Sequence, residues 1–377
     1  MSEFETVQEI ILKAYRNMSR EIWDHVSGGT ESETTLLRNR QALDSLGFRP
    51  RVLRDVSRVD PSTTLLGKRL RIPVFLAPLG GLSRIHPEGP LLALNGASRF
   101  GTLIFLSSVN GSMELEEAAE LTKDSLVFQL YIRGDRTWVD AYLERVAGAE
   151  IRGFCLTVDI AIYSRRERDL VNRYRPPGRE TGEREGFRYQ STMTWDFVDR
   201  VRERVAVPLI IKGVATAEDA ELAVKHGADV VYVSNHGGRQ LDHCFGSMDV
   251  LPEVVEAVGG RAEVVIDGGF VRGTDVLKAV ALGAKAVGLG KLQAWALAAG
   301  GETGLITMLE ILEEEISVSM GLLGIRTLDE LAPSFVGQVA PVRYPAELSP
   351  FPSIEATISK ERREGLSLGL RKRDNRR

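Results

Sequence analysis

Hydrophobic and polar positions divide the chain into three parts. Over residues 5–47 apolar side chains recur at helical spacing: Ile10, Ile11 and Tyr15, then Ile22 and Val26, then Leu36, Leu37, Leu43 and Leu46. Gly28-Gly29 interrupts the series. The pattern predicts an N-terminal helical cap leading into a connecting stretch, 48–71. From residue 73 short β-branched or apolar runs alternate with helical patterns. The runs predict strands at 73–77, 102–106, 126–131, 153–158, 207–212, 229–234, 262–267 and 285–289. Helices are predicted at 88–100, 113–122, 136–147, 196–204, 216–226, 249–258, 273–282 and 302–320. Past 325, Pro333, Pro341, Pro345, Pro350 and Pro352 mark an extended arm.

Eight strand–helix units in succession predict a (β/α)8 TIM barrel of the α/β class, with its active site at the C-terminal ends of the strands. The expected organisation is one domain: cap and connection 1–72, barrel 73–325, arm and basic tail 326–377. A doubly wound open sheet would need G-x-G-x-x-G after an early strand, and the chain has none. One connection, 160–195, is longer than the others. It carries Arg165-Arg166-Glu167-Arg168-Asp169 and the polar run Pro176 to Arg184. A loop of this length is usually a functional lid or disordered, and without an apolar stripe it does not read as a membrane anchor.

Composition narrows the function classes. Of 377 residues 43% are hydrophobic, enough for a substantial core, and the net charge of −4 gives no general attraction to nucleic acid or anionic membrane. The tail 360–377 holds eight basic against three acidic residues and reads as a solvated end rather than a nucleic-acid patch. Cys155 and Cys244 are too few for a disulfide framework or a cysteine zinc site, and Cys155 lies in an apolar run. Metal ligands at zinc spacing are absent. With an acidic N-terminus and no run of 18 apolar residues, a cytoplasmic protein is expected.

Candidate chemistry collects where polar residues end the apolar runs: Ala77-Pro78-Leu79-Gly80, Ser107-Ser108, Gln129-Leu130-Tyr131, Thr157-Val158-Asp159, Lys212, Ser234 with His236, Asp267-Gly268-Gly269, and Gly288-Leu289-Gly290-Lys291. Turn chemistry suffices for any one of these. Eight in register at one barrel end point to a site. The sharpest stretch is Ser234-Asn235-His236-Gly237-Gly238-Arg239-Gln240-Leu241-Asp242. An imidazole can take a proton near neutral pH, and a guanidinium three residues on can fork onto a carboxylate. The pair suggests a substrate with a removable proton and an acid group.

The nine-residue string resembles the signature of the FMN-dependent 2-hydroxy acid dehydrogenases, which include glycolate oxidase, lactate oxidase, mandelate dehydrogenase and flavocytochrome b2. The resemblance runs in unbroken order from about residue 7 to about 331. It implies oxidation of an L-2-hydroxy acid with FMN as cofactor; O2, a quinone or a redox protein as electron acceptor; and a homotetramer. It implies His236 as base, Asp159 as its carboxylate partner, Tyr131 against the reacting oxygen, and Arg166 and Arg239 on the substrate carboxylate. It implies flavin contacts from Pro78, Leu79, Gly80, Ser107, Gln129, Thr157, Lys212, Ser234, Asp267, Gly268, Gly269, Arg272, Gly290 and Lys291, with Lys212 stabilising negative charge on the reduced ring.

The chain departs from the family pattern at four positions. His25 stands where the family has a second substrate-binding tyrosine, and Val109 where glycolate oxidases have a tryptophan. Val271 replaces one phosphate-binding arginine and Lys291 the other. The substrate is therefore expected to be larger than glycolate, and the phosphate to be held less firmly. Oxidation of a modified peptide or amine is the rival activity, weakened by the paired arginines. A non-catalytic flavin-binding protein is the other, weakened by the His236/Asp159 pair.

Overall fold

The computed structural model describes residues 3–122, 124–176, 188–351, 354 and 356–361. Eight strands form its centre: β1 (Val74–Leu76), β2 (Ile104–Ser107), β3 (Leu126–Leu130), β4 (Gly153–Thr157), β5 (Leu209–Val214), β6 (Val230–Val233), β7 (Glu263–Ile266) and β8 (Ala286–Leu289). Each pairs in parallel with the next, and β8 returns to β1 with Val287 opposite Val74 and Leu289 opposite Leu76, so the barrel closes. The strands read as unbroken apolar runs because both faces are covered: side chains fill the barrel on one side and meet helices on the other.

Helices follow β1 to β7 at Gly89–Phe100, Leu115–Leu121, Arg136–Gly148, Trp195–Arg204, Ala217–Lys225, Ser247–Val258 and Gly273–Ala281. After β8 two helices together span Lys291–Leu323 and meet at a kink, where Gly300 and Gly301 have non-helical dihedrals. The glycine pair therefore precedes the second helix, as the pattern predicts, and a short helix beginning at Lys291 comes before it.

The barrel interior is an aromatic plug. Phe75 and Phe105 lie 4.5 Å apart between ring centroids, and Tyr232 meets both edge-on. The stretch 48–71 does more than connect. Its hairpin, Thr63–Leu65 with Lys68–Leu70, sends Leu65 and Leu70 under these rings and closes the barrel floor. Only the opposite end is left open for a site.

Three N-terminal helices, α1 (Val7–Asn17), α2 (Arg20–Ser27) and α3 (Thr34–Asp44), form the cap. Thr6 and Glu9 make a capping box at the start of α1. Gly28 ends α2, as the glycine pair suggested. The cap is pinned to the loop after β6: Asn39 and Asn235 exchange amide hydrogen bonds of 2.9 and 2.7 Å, and the Thr35 N–H donates to Asp242 Oδ1 at 2.8 Å.

At the other end of the chain, Val336–Gln338 pairs antiparallel with Leu46–Phe48. The arm crosses without regular structure to Phe351 and becomes helical again at 356–361, where Ile358 is buried. The long connection folds a helix, Glu167–Val171, against α2. Most of its polar run, 177–184, and most of the basic tail lie outside the described residues. Among the described residues no helix is long and apolar enough to cross a membrane.

Candidate active site

The open end of the barrel holds a cleft of about 1520 Å³, its mouth included. His236 stands on its wall just past β6. Its backbone is left-handed, φ +59°, an arrangement uncommon for a residue with a side chain and typical of functional turns. The Ser234 hydroxyl holds it there by accepting the His236 N–H at 3.1 Å. That same oxygen accepts from Lys212 Nζ at 2.8 Å and donates to Asp267 Oδ1 at 2.7 Å. One serine thus fixes residues from β5, β6 and β7 relative to one another.

Asp159 meets His236 Nδ1 at 3.1 Å, and the Tyr131 hydroxyl lies 3.1 Å from Nε2. A carboxylate can only accept, so Nδ1 carries the proton and Nε2 presents its lone pair. Asp159 comes this close because β5 bulges between Lys212 and Val214. At the bulge Gly213 has φ +114°, and a Cβ there would stand 2.6 Å from the Asp159 side chain.

The ionisation states follow from this packing. Burial is the main influence on His236 and lowers its pKa; Asp159 opposes this and Lys212 adds to it. The ring is therefore neutral at neutral pH and able to take a proton. Burial works against charge on Asp159, but His236 and Lys212 outweigh it and keep it ionised. Burial likewise disfavours the Lys212 ammonium, but Asp267 and Asp159 outweigh it and raise its pKa above the ordinary value. Burial raises the Tyr131 phenol, which stays protonated.

Two guanidiniums share the cleft. Arg166 is buried, stacks over the Tyr163 ring at 4.6 Å and donates to Gln240 Oε1 at 3.4 Å. Arg239 donates through Nη1 to the carbonyls of His25 and Gly28, the latter at 2.9 Å, which aligns it on the C-terminal end of α2. Burial first, and then Arg166, pull its pKa down to about 10. Two crowded cations call for an anion between them.

His25 also lines this end, but Asp169 holds its Nδ1 at 3.0 Å. Burial pulls its pKa down to about 4 against the attraction of Asp169, so the ring is neutral. Val109 lines the wall beside Gly80, with Ile160 and Arg133 nearby. Asp169 was not foreseen. Its only mark in the sequence is its place in the charged run after Asp159.

Along the cleft from His236, the Ala77–Gly80 segment, Lys212, Asp267, Gly268, Gly269 and Gly290 form the wall. Ser107, Gln129, Thr157 and Ser234 are buried at the strand ends. Among the described residues, both amide atoms of Gln129 and the Thr157 hydroxyl have no hydrogen-bond partner, and Thr157 lies in register with Lys212. Orphaned buried donors and acceptors are costly, and a ring with a polar edge would satisfy them.

The far end differs. Val271 is buried in the cleft wall where an arginine was missed in the sequence. Arg272 does not reach the cleft. It pairs with Glu315 Oε1 at 2.5 Å and lies over the Phe351 ring at 4.4 Å. A carboxylate and an aromatic face outside the cleft thus hold the head of the residue expected to contact the phosphate. Lys291 does reach the cleft, and donates to the Ser27 carbonyl at 2.7 Å and to Glu347 Oε1 at 2.5 Å. Glu347 belongs to the arm, and nothing in the sequence pattern announced it.

A family model described as FMN-dependent dehydrogenase matches residues 14–338. The chain belongs to that family. It is 37% identical over 348 residues to an L-lactate oxidase from Nostoc sp., covering 86% of this chain and 95% of that one. Against glycolate oxidase 1 of Oryza sativa subsp. indica identity is 38%, covering 88% and 95%. A solved mandelate oxidase with benzoyl-formic acid superposes with a TM-score of 0.82 at 35% identity, over 90% of this chain and all of that one. FMN is the cofactor of the family, and the orphaned groups of Gln129 and Thr157 beside the Lys212 charge fit the polar edge of its ring.

Proposed function

We propose that the protein oxidises an L-2-hydroxy acid to the 2-oxo acid. The observation that carries the reading is His236, neutral and held between Asp159 and Tyr131, in one cleft with Arg166 and Arg239. FMN, when bound, would accept two electrons and one of the two protons removed from the substrate, the other going to His236. The arginines bind the substrate carboxylate and turn the 2-carbon toward His236. His236 Nε2 takes the proton, and Asp159 stabilises the imidazolium that results. The Tyr131 phenol donates to the substrate's hydroxyl oxygen. Lys212, fixed by Ser234 and Asp267, supplies positive charge where negative charge accumulates.

The wall of the cleft supports a substrate larger than glycolate. Val109 and neutral His25 leave space there, and each buried methylene contributes about 0.8 kcal/mol. Oxygen is the acceptor that fits the oxidase relatives best, and a homotetramer is the assembly we carry over from the family. The test is anaerobic mixing of purified holoprotein with glycolate, L-lactate, 2-hydroxyoctanoate, mandelate and 2-hydroxyglutarate while the flavin absorbance is followed. Bleaching by the larger acids, fastest with a side chain beyond lactate, is expected. A flavin that none of the panel reduces would contradict the activity, and a preference for glycolate would contradict the substrate size.

A further inference from the structure

The two basic residues that follow β7 and β8 both turn to the C-terminal arm. Arg272 lies over Phe351. Lys291 pairs with Glu347, both side chains being less than one-fifth exposed. Between these contacts the arm is fastened by a hydrogen bond from Ser349 Oγ to Asp44 Oδ2 at 3.1 Å and by the burial of Leu348 and Phe351. The only other guanidinium lining this end among the described residues, Arg40, is already paired with Asp275 and Asp44 and donates to the Gly269 carbonyl. Every cation here is matched by a carboxylate of the chain itself. Yet donors wait at the same place. Trp295 lines the cleft one turn on from Lys291, and its fully buried indole N–H has no partner among the described residues. The buried Ser27 hydroxyl, on the residue whose carbonyl Lys291 holds, has none either.

We propose that the arm is a cofactor latch: Glu347 occupies Lys291 until the phosphate of FMN takes its place and frees the arm. This rests on the flavin-enzyme reading. A phosphate dianion and the Glu347 carboxylate compete for one ammonium, and they repel each other at close range. Retention of FMN is therefore set by a residue outside the barrel. Riboflavin, which has the same ring and no phosphate, leaves the latch closed.

The test is titration of full-length protein, freed of flavin by dialysis against high salt, with FMN and with riboflavin, following quenching of flavin fluorescence. Glu347→Gln should tighten FMN about tenfold or more, since it removes one charge at contact distance, and leave riboflavin within about twofold. Val271→Arg should tighten FMN in the same selective way. Hydrogen exchange over 341–351 should speed up on adding FMN and not on adding riboflavin. Unchanged or weaker FMN binding by Glu347→Gln, equal tightening of both flavins, or slower exchange with FMN would overturn the latch. A protein that binds neither flavin would overturn the cofactor assignment and the latch together.

Discussion

The two ends of the cleft treat charge in opposite ways. Near His236, charged and polar groups are buried at the cleft: among the described residues Nε2 is met only by a phenol, two arginines lie close enough to disfavour each other's charge, and Gln129 and Thr157 lack partners. Near Lys291, each cation is neutralised by the protein's own carboxylates. The first end is preorganised for a ligand and stores the cost of uncompensated groups; at the second the cations are satisfied without one, and the Trp295 N–H and Ser27 hydroxyl are left over. The chemistry should therefore be sensitive to small changes at the first end. Cofactor retention should be adjustable at the second.

Apart from His236 itself, the largest effect expected from breaking this contrast is at Asp159. Asp159→Asn removes the charge that supports a protonated His236, and single-turnover flavin reduction should fall about 10²-fold or more. Because Asp159 raises the His236 pKa, its loss should also move the acid limb of the rate profile to lower pH. A rate loss without that movement would point to misfolding rather than lost electrostatics. Arg239→Lys comes next. A lysine cannot make the forked contact, and losing one charged hydrogen bond, about 1.5–3 kcal/mol, should raise KM roughly 10- to 100-fold while kcat changes less.

A smaller effect is written in stability. His25 is held neutral, with its pKa lowered from 6.5 to about 4. Between these values the unfolded chain binds a proton that the folded one refuses, so stability is full above pH 6.5 and falls as pH drops toward 4. His25→Gln should flatten that slope in urea unfolding measured across the window. An unchanged slope would assign it to other groups. The smallest effect is expected at Val109→Trp, which should shift kcat/KM toward small acids by about fourfold for each methylene of space filled.

The barrel was legible because its strands are apolar on both faces and are punctuated by polar ends. The convergence of Tyr131, Asp159, Lys212 and His236 was legible for the same reason, since parallel strands in a barrel deliver their C-terminal ends to one side. What escaped depends on contacts between distant segments. Arg272 follows β7 in the expected place, yet Glu315 and Phe351 decide where its head points. Lys291 is matched by Glu347, whose neighbours in sequence are prolines and apolar residues that mark only an arm. Asp169 orients the His25 ring from 144 positions along the chain, while burial, against the pull of Asp169, keeps that ring neutral.

The central claim is that His236 is the base and that the cofactor is held independently of it. It is tested most directly by His236→Ala, with FMN occupancy determined by absorbance and flavin reduction by a saturating 2-hydroxy acid followed anaerobically in a single turnover. Occupancy should match the wild type and reduction should be slower by about 10²–10⁴-fold. Reduction at the wild-type rate in a fully loaded variant would contradict it.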